Sequence, residues 1–133
     1  MARVMVDTSA IYALLDRSDR RHGQAVATLH ELNQRRMSVL LTNFIVAECH
    51  ALLLNRLGPE ISRDWLDEQC WPVERVTLED EIKAKGILHT YYDKTFTYCD
   101  AVTFAVMDRL EIKHAFAFDQ HFTQYGAELF CPV

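Results

Sequence analysis

Short apolar runs alternate along this chain with stretches whose apolar residues recur every three to four positions, the pattern of strands alternating with helices. Val4 to Val6 is a short apolar run, ended by Asp7, as in a buried strand. Helical spacing follows in Ile11, Leu14 and Leu15, and again in Ala25, Val26, Leu29 and Leu32. Ser38 to Leu41 reads as a second strand, and Thr42 or Asn43 can cap a helix carrying Ile45, Val46, Cys49, Leu52 and Leu53. Gly58 and Pro59 end that helix and open another, from Pro59 to Gln69. Pro72 to Val76 then reads as a strand, and Thr77 with Asp80 as a capping box opening a helix toward Tyr91. Thr97 and Asp100 repeat the box, before a helical face of Val102, Ala105, Val106 and Leu110. His114 to Phe118 is a strand ended by Asp119, and a short turn through Gly126 leads to a last strand from Glu128 to Cys131.

This alternation predicts an α/β fold, with a central parallel sheet of four to five strands covered by helices on both faces. With 133 residues, half of them hydrophobic, the chain can bury one sizeable core, and no repeat or linker divides it, so residues 1–133 read as one domain. Arg3 and Asp7 interrupt the first apolar run too early for a signal-peptide core, and no stretch has the length of a membrane span; a cytoplasmic protein is expected. Cys49, Cys70, Cys99 and Cys131 are widely spaced and read as reduced, buried thiols. The six histidines form no zinc-ligand grouping, and Trp65, Trp71 and Phe122 read as packing. His121 is a possible phosphate or base contact but reads more simply as a loop residue.

The formal charge of -5 opposes a generally basic nucleic-acid surface. Its weight falls if several of the 19 acids share one metal-neutralised pocket, leaving Arg17, Arg20, Arg21, Arg35, Arg36 and Arg56 to meet phosphates. Two apolar strands end in an aspartate, Asp7 and Asp119, and ligands of open α/β sheets collect at the carboxyl ends of strands. Glu48 lies about a turn into its helix beside the apolar face, and Asp100 opens the helix before the second Asp-ended strand. Each acid has a plainer role: Asp7 and Asp100 as helix caps, Asp119 as a turn former, Glu48 as a half-exposed helix residue. If the four meet, each pair repels by about 4 kcal/mol at roughly 4 Å and an effective dielectric near 20. Protons or a hard divalent cation must offset that, and magnesium or manganese suits carboxylate and water oxygens. Thr8, Ser9 and Thr97 stand close enough in sequence to assist, or simply cap helices.

These residues resemble the PIN domains, and within them the VapC-type toxins of prokaryotic toxin–antitoxin pairs. The resemblance rests on Val6-Asp7-Thr8-Ser9-Ala10, Val46-Ala47-Glu48, Thr97-Tyr98-Cys99-Asp100-Ala101 and Ala117-Phe118-Asp119-Gln120-His121-Phe122, in family order across nearly the whole chain, with Asp19, His22 and Ala25 opening the second helix. It implies that Asp7, Glu48, Asp100 and Asp119 are catalytic acids binding Mg2+ or Mn2+, with Thr8, Ser9 and Thr97 supporting them. It also implies endonucleolytic cleavage of structured RNA, transfer RNA being the first substrate guess, a homodimer, and a cognate antitoxin protein. Thr103 stands where some relatives place a further acid, and Phe118 replaces a Thr-Asp pairing before the last acid.

Other folds with an early aspartate fit less well. A haloacid-dehalogenase phosphatase wants an acid where Ser9 stands, and a receiver domain wants its aspartate far later than Asp7. The alternative of a different class is a PIN-fold module that binds RNA or protein without cutting.

Overall fold

A computed structural model of the chain describes residues 2–130. Its elements run β1 (Arg3–Val6), α1 (Thr8–Leu15), α2 (His22–Gln34), β2 (Ser38–Thr42), α3 (Asn43–Leu57), α4 (Pro59–Glu68), β3 (Val73–Glu74), α5 (Leu78–Thr90), α6 (Tyr98–Arg109), β4 (His114–Phe116), α7 (His121–Tyr125) and β5 (Glu128–Leu129). The strands form one sheet in the order β3-β2-β1-β4-β5, every neighbouring pair parallel. β1 is central, with Met5 opposite Leu40 on one side and Ala115 on the other. Buried on both faces, it needs the unbroken apolar run that Val4, Met5 and Val6 supply.

From β1 the chain winds outward through β2 to β3, then returns past β1 to β4 and β5. Right-handed crossovers therefore put α1 to α4 on one face and α5 to α7 on the other. The packing agrees: α1 lies against α2 and α3, and α3 against α4, while α6 lies against α5 and α7. The reversal falls between β1 and β4, so a crevice opens beyond their carboxyl ends. The Asp7 amide donates to the Phe116 carbonyl (3.0 Å), holding the two strand ends together where that crevice begins.

Helix α6 is buried continuously from Asp100 to Met107, not along one face as its spacing predicted. It is sandwiched, and Phe104 anchors it by stacking on Tyr125 (4.5 Å between centroids) and meeting Phe96 and Phe122 edge-on. Some element limits also differ from expectation. α4 stops at Glu68, with Gln69 as its C-cap. β3 is only two residues long, because Val76 turns its amide to Asn43 Oδ1 (2.8 Å) instead of a strand. β4 ends at Phe116, because the Phe118 amide donates to Ser9 Oγ (2.9 Å). A short helix, α7, occupies the stretch read as a turn, and Gly126 ends it at a positive φ of 115°. Cys131, placed in the last strand, lies outside the described residues. Of the thiols, Cys49 is buried and Cys99 half-buried, but Cys70 is exposed, contrary to the buried reading. Among the described residues no helix is long and apolar enough to cross a membrane.

One buried charge fastens α5 to the end of α6. Asp80 is 3% exposed, accepts two bonds of 2.9 Å from Arg109, and also accepts the Thr77 amide in its capping box. Burial alone would raise this carboxyl, but the bonds from Arg109 and Thr77 outweigh it and hold its pKa below the usual range. Asp80→Ala is expected to lower stability by about 2 kcal/mol at neutral pH, read as a lower urea midpoint at unchanged slope. A depressed folded pKa gives stability that is present above the ordinary carboxylate value of about 4 and is lost as pH falls through the folded pKa. The gap between wild type and variant should therefore close on acidification.

Candidate active site

The crevice at the reversal is a cleft of about 540 Å³, and its walls include Asp7, Glu48, Asp100 and Asp119. Thr8, Ser9 and Thr97 line it too, so all seven residues singled out in the sequence meet in one place. Asp7 stands at the N-cap of α1, 7% exposed, where its Oδ2 accepts the Ser9 amide (3.1 Å) and the Ser9 hydroxyl (2.7 Å). The capping role and the cleft position are thus the same geometry: the cap fixes the carboxylate, and Oδ1 carries no hydrogen bond among the described residues. One residue on, the Thr8 hydroxyl donates to Glu48 Oε1 (2.6 Å), tying α1 to α3 and aiming a mid-helix carboxylate at the sheet edge.

Asp100 sits at the third position of α6. Its Oδ2 accepts the Thr97 amide (2.9 Å) while its own amide donates to Thr97 Oγ (3.0 Å), completing the capping box. Asp119 forms the expected turn, its Oδ1 accepting the His121 amide (2.9 Å). Three of the four acids thus lie at helix N-termini, where the backbone dipole favours negative charge.

His121 is a correction to the sequence reading. It opens α7 and is no ordinary loop residue: its Nδ1 lies 2.8 Å from Asp100 Oδ2 and 3.3 Å from Asp119 Oδ1, its Nε2 is 3.2 Å from Thr95 Oγ, and its ring meets Phe96 edge-on. One ligand atom each from Asp100, Asp119 and His121 falls within 4.8 Å of the others. The two-residue interval between Asp119 and His121 was the available signal, since an aspartate turn brings its own carboxylate to that amide. Thr103 gives its hydroxyl to the Cys99 carbonyl (2.8 Å) and stays buried in the helix.

The electrostatics reflect the crowding. Burial, with smaller contributions from Glu48 and Asp100, raises the Asp7 pKa to about 6 against the opposing Ser9 bonds. Burial pushes the Cys49 thiol to about 12, and pushes Cys99 up further, with the Glu48 and Asp7 charges adding to both. Both thiols stay protonated and take no nucleophilic part. The donor set fits a hard divalent cation: oxygens dominate it, an Asp7 oxygen carries no hydrogen bond among the described residues, and the part of the Asp7 pKa rise that comes from the Glu48 and Asp100 charges is one a cation would relieve.

A family model described as PIN domain matches residues 4–128. The chain belongs to the PIN domain family. It is 32% identical over 127 residues to the 23S rRNA-specific endonuclease VapC20 of Mycobacterium tuberculosis, covering 92% of this chain and 94% of that protein. The crystal structure of M. tuberculosis VapC20, described as a sarcin-ricin loop cleaving toxin, superposes with a TM-score of 0.84 at 29% identity, covering 97% of this chain and 99% of that one. DNA-bound VapBC from Salmonella typhimurium shares the fold, with a TM-score of 0.72 at 11% identity and 97% of both chains covered. These relatives bear out the parallel α/β architecture expected from the strand and helix pattern.

A raised folded pKa means that metal-free wild type loses stability as pH climbs from about 4, where the unfolded carboxyl ionises, to about 6, where the folded one does. Asp7→Asn should therefore stabilise the metal-free protein by about 3 kcal/mol at pH 7.5 and by little at pH 4. Thermal unfolding in chelator at both pH values checks this. Magnesium should then raise the melting temperature of wild type more than that of the variant.

Proposed function

We propose that this PIN domain is a divalent-metal-dependent endoribonuclease, the toxin of a toxin–antitoxin pair, and that Asp7, Glu48, Asp100 and Asp119 hold its magnesium or manganese. The observation that carries this reading is the convergence of four carboxylates, drawn from the β1–α1 junction, α3, α6 and the β4–α7 loop, in one cleft at the sheet's reversal. When bound, such an ion activates a water for in-line attack on a phosphodiester and stabilises the departing oxygen. The chain's own residues prepare the site. Ser9 holds Asp7, Thr8 holds Glu48, and Thr97 and His121 hold Asp100, so the carboxylates are oriented before a ligand arrives. Phe118 and Leu52 give the cleft apolar wall between its charged groups.

The likeness to VapC20 makes a ribosomal RNA stem-loop of the sarcin-ricin kind the first substrate to test, with transfer RNA beside it. It also supports a cognate antitoxin, since the structurally similar Salmonella chain comes from a VapBC assembly. The same reading makes residues 1–133 one domain, working in the cytoplasm as a homodimer.

Labelled stem-loop and transfer RNA should be cut in magnesium or manganese and left intact in chelator. Asp7→Asn and Asp100→Asn should each lower the cleavage rate on the order of a hundredfold or more, with unchanged circular dichroism. Metal-independent cutting, or full activity in both variants, would contradict the assignment. No cutting of any RNA would leave a binding module.

A further inference from the structure

Two arginines at the rim of the acidic cleft are held by aromatic rings. The Arg21 guanidinium lies 5.3 Å from the Phe118 ring centroid, and that of Arg56 lies 5.1 Å from the Tyr12 ring centroid; all four residues line the cleft. Neither arginine forms an ion pair with a carboxylate among the described residues, although acids outnumber bases in the chain. Arg35 and Arg109, by contrast, are bound to Glu31 and to Asp80 with Glu74.

The rings are themselves fixed. Tyr12 is hydrogen-bonded through its hydroxyl to Asp16, whose other oxygen is taken up by the Ser18 amide and hydroxyl. Phe118 follows β4, tied by its amide to Ser9 and directly preceding Asp119. A guanidinium lying over a ring face is oriented by it and keeps N–H donors in its edge for phosphate oxygens. Along α3, Glu48, Leu52 and Arg56 share one cleft-facing stripe, so Arg56 lies about 12 Å of helix rise from the carboxylate. That is too far to touch a phosphate held at Glu48, but suits a neighbouring one.

We infer that the Arg21–Phe118 and Arg56–Tyr12 pairs form a two-point clamp on RNA backbone phosphates flanking the scissile one. The inference rests on the nuclease reading for its substrate class. The clamp resolves the conflict between an acidic protein and a polyanionic ligand: the acids face the reacting phosphate through metal, while the two pinned arginines hold the strand on either side.

The test measures binding of a fluorescein-labelled RNA stem-loop by anisotropy, across a salt series in magnesium. The parent is Asp7→Asn, so that the RNA stays whole. Arg21→Gln and Arg56→Gln should each weaken binding several-fold and reduce the log Kd against log salt slope by about 1, the double variant by about 2, and the Lys replacements should keep the slope. A double variant that binds with the parental affinity and slope overturns the clamp, while wild-type cleavage in the same buffer shows that the nuclease reading still stands. If the variants lose binding as expected but wild type never cuts, the clamp stands and the nuclease reading fails. If the parent does not bind RNA at all, the clamp is overturned as well.

Discussion

Mutual repulsion among carboxylates gathered at one end of a parallel sheet is the constraint around which this protein is arranged. Asp7, Glu48, Asp100 and Asp119 reach the same cleft from four separate stretches of chain. Left to themselves they would move apart or take up protons; the Asp7 pKa of about 6 comes mainly from burial, with the Glu48 and Asp100 charges adding a smaller part. What keeps them together is a set of short tethers, from Ser9, Thr8, Thr97 and His121, each bonded to a carboxylate oxygen. The N-termini of α1 and α6 add favourable dipole at Asp7 and Asp100.

The scaffold supplies the rigidity that such a site needs. β1 is buried from Val4 to Val6 and bonded on both sides, and α6 is buried from Asp100 to Met107, so the elements bearing Asp7 and Asp100 have little freedom to yield. The Thr8 to Glu48 bond fastens α3 to α1 directly over the sheet edge. The Asp80–Arg109 pair does the corresponding work for α5 and α6 at a distance from the cleft. Charge sign is also divided within the cleft: four acids line it, and so do Arg21 and Arg56, each lying over an aromatic ring.

The acids were legible in the sequence because each is marked by local structure. Asp7 ends an apolar strand run, Asp100 closes a capping box with Thr97, and Asp119 begins a turn; these local roles hold, and they are what aims the side chains. The α/β alternation was legible for the same reason, since strand and helix periods differ. What stayed hidden depends on tertiary placement. The Tyr12–Arg56 and Arg21–Phe118 pairs join residues 44 and 97 positions apart, with no shared period. His121 shows its importance only once Asp100 is brought beside it, and the burial of α6 on all sides only once α5 and α7 cover it. The limits of β3 and β4 were overextended because Asn43 and Ser9 side chains take the amides that longer strands would have used.

Binding of manganese followed by loss of the free-ion electron paramagnetic resonance signal tests the convergence of the four acids most directly, because it needs no substrate. Wild type should bind the ion, and Asp7→Asn, Glu48→Gln, Asp100→Asn and Asp119→Asn should each weaken that binding. Equal affinity in wild type and all four variants, or no binding by wild type, would contradict the account.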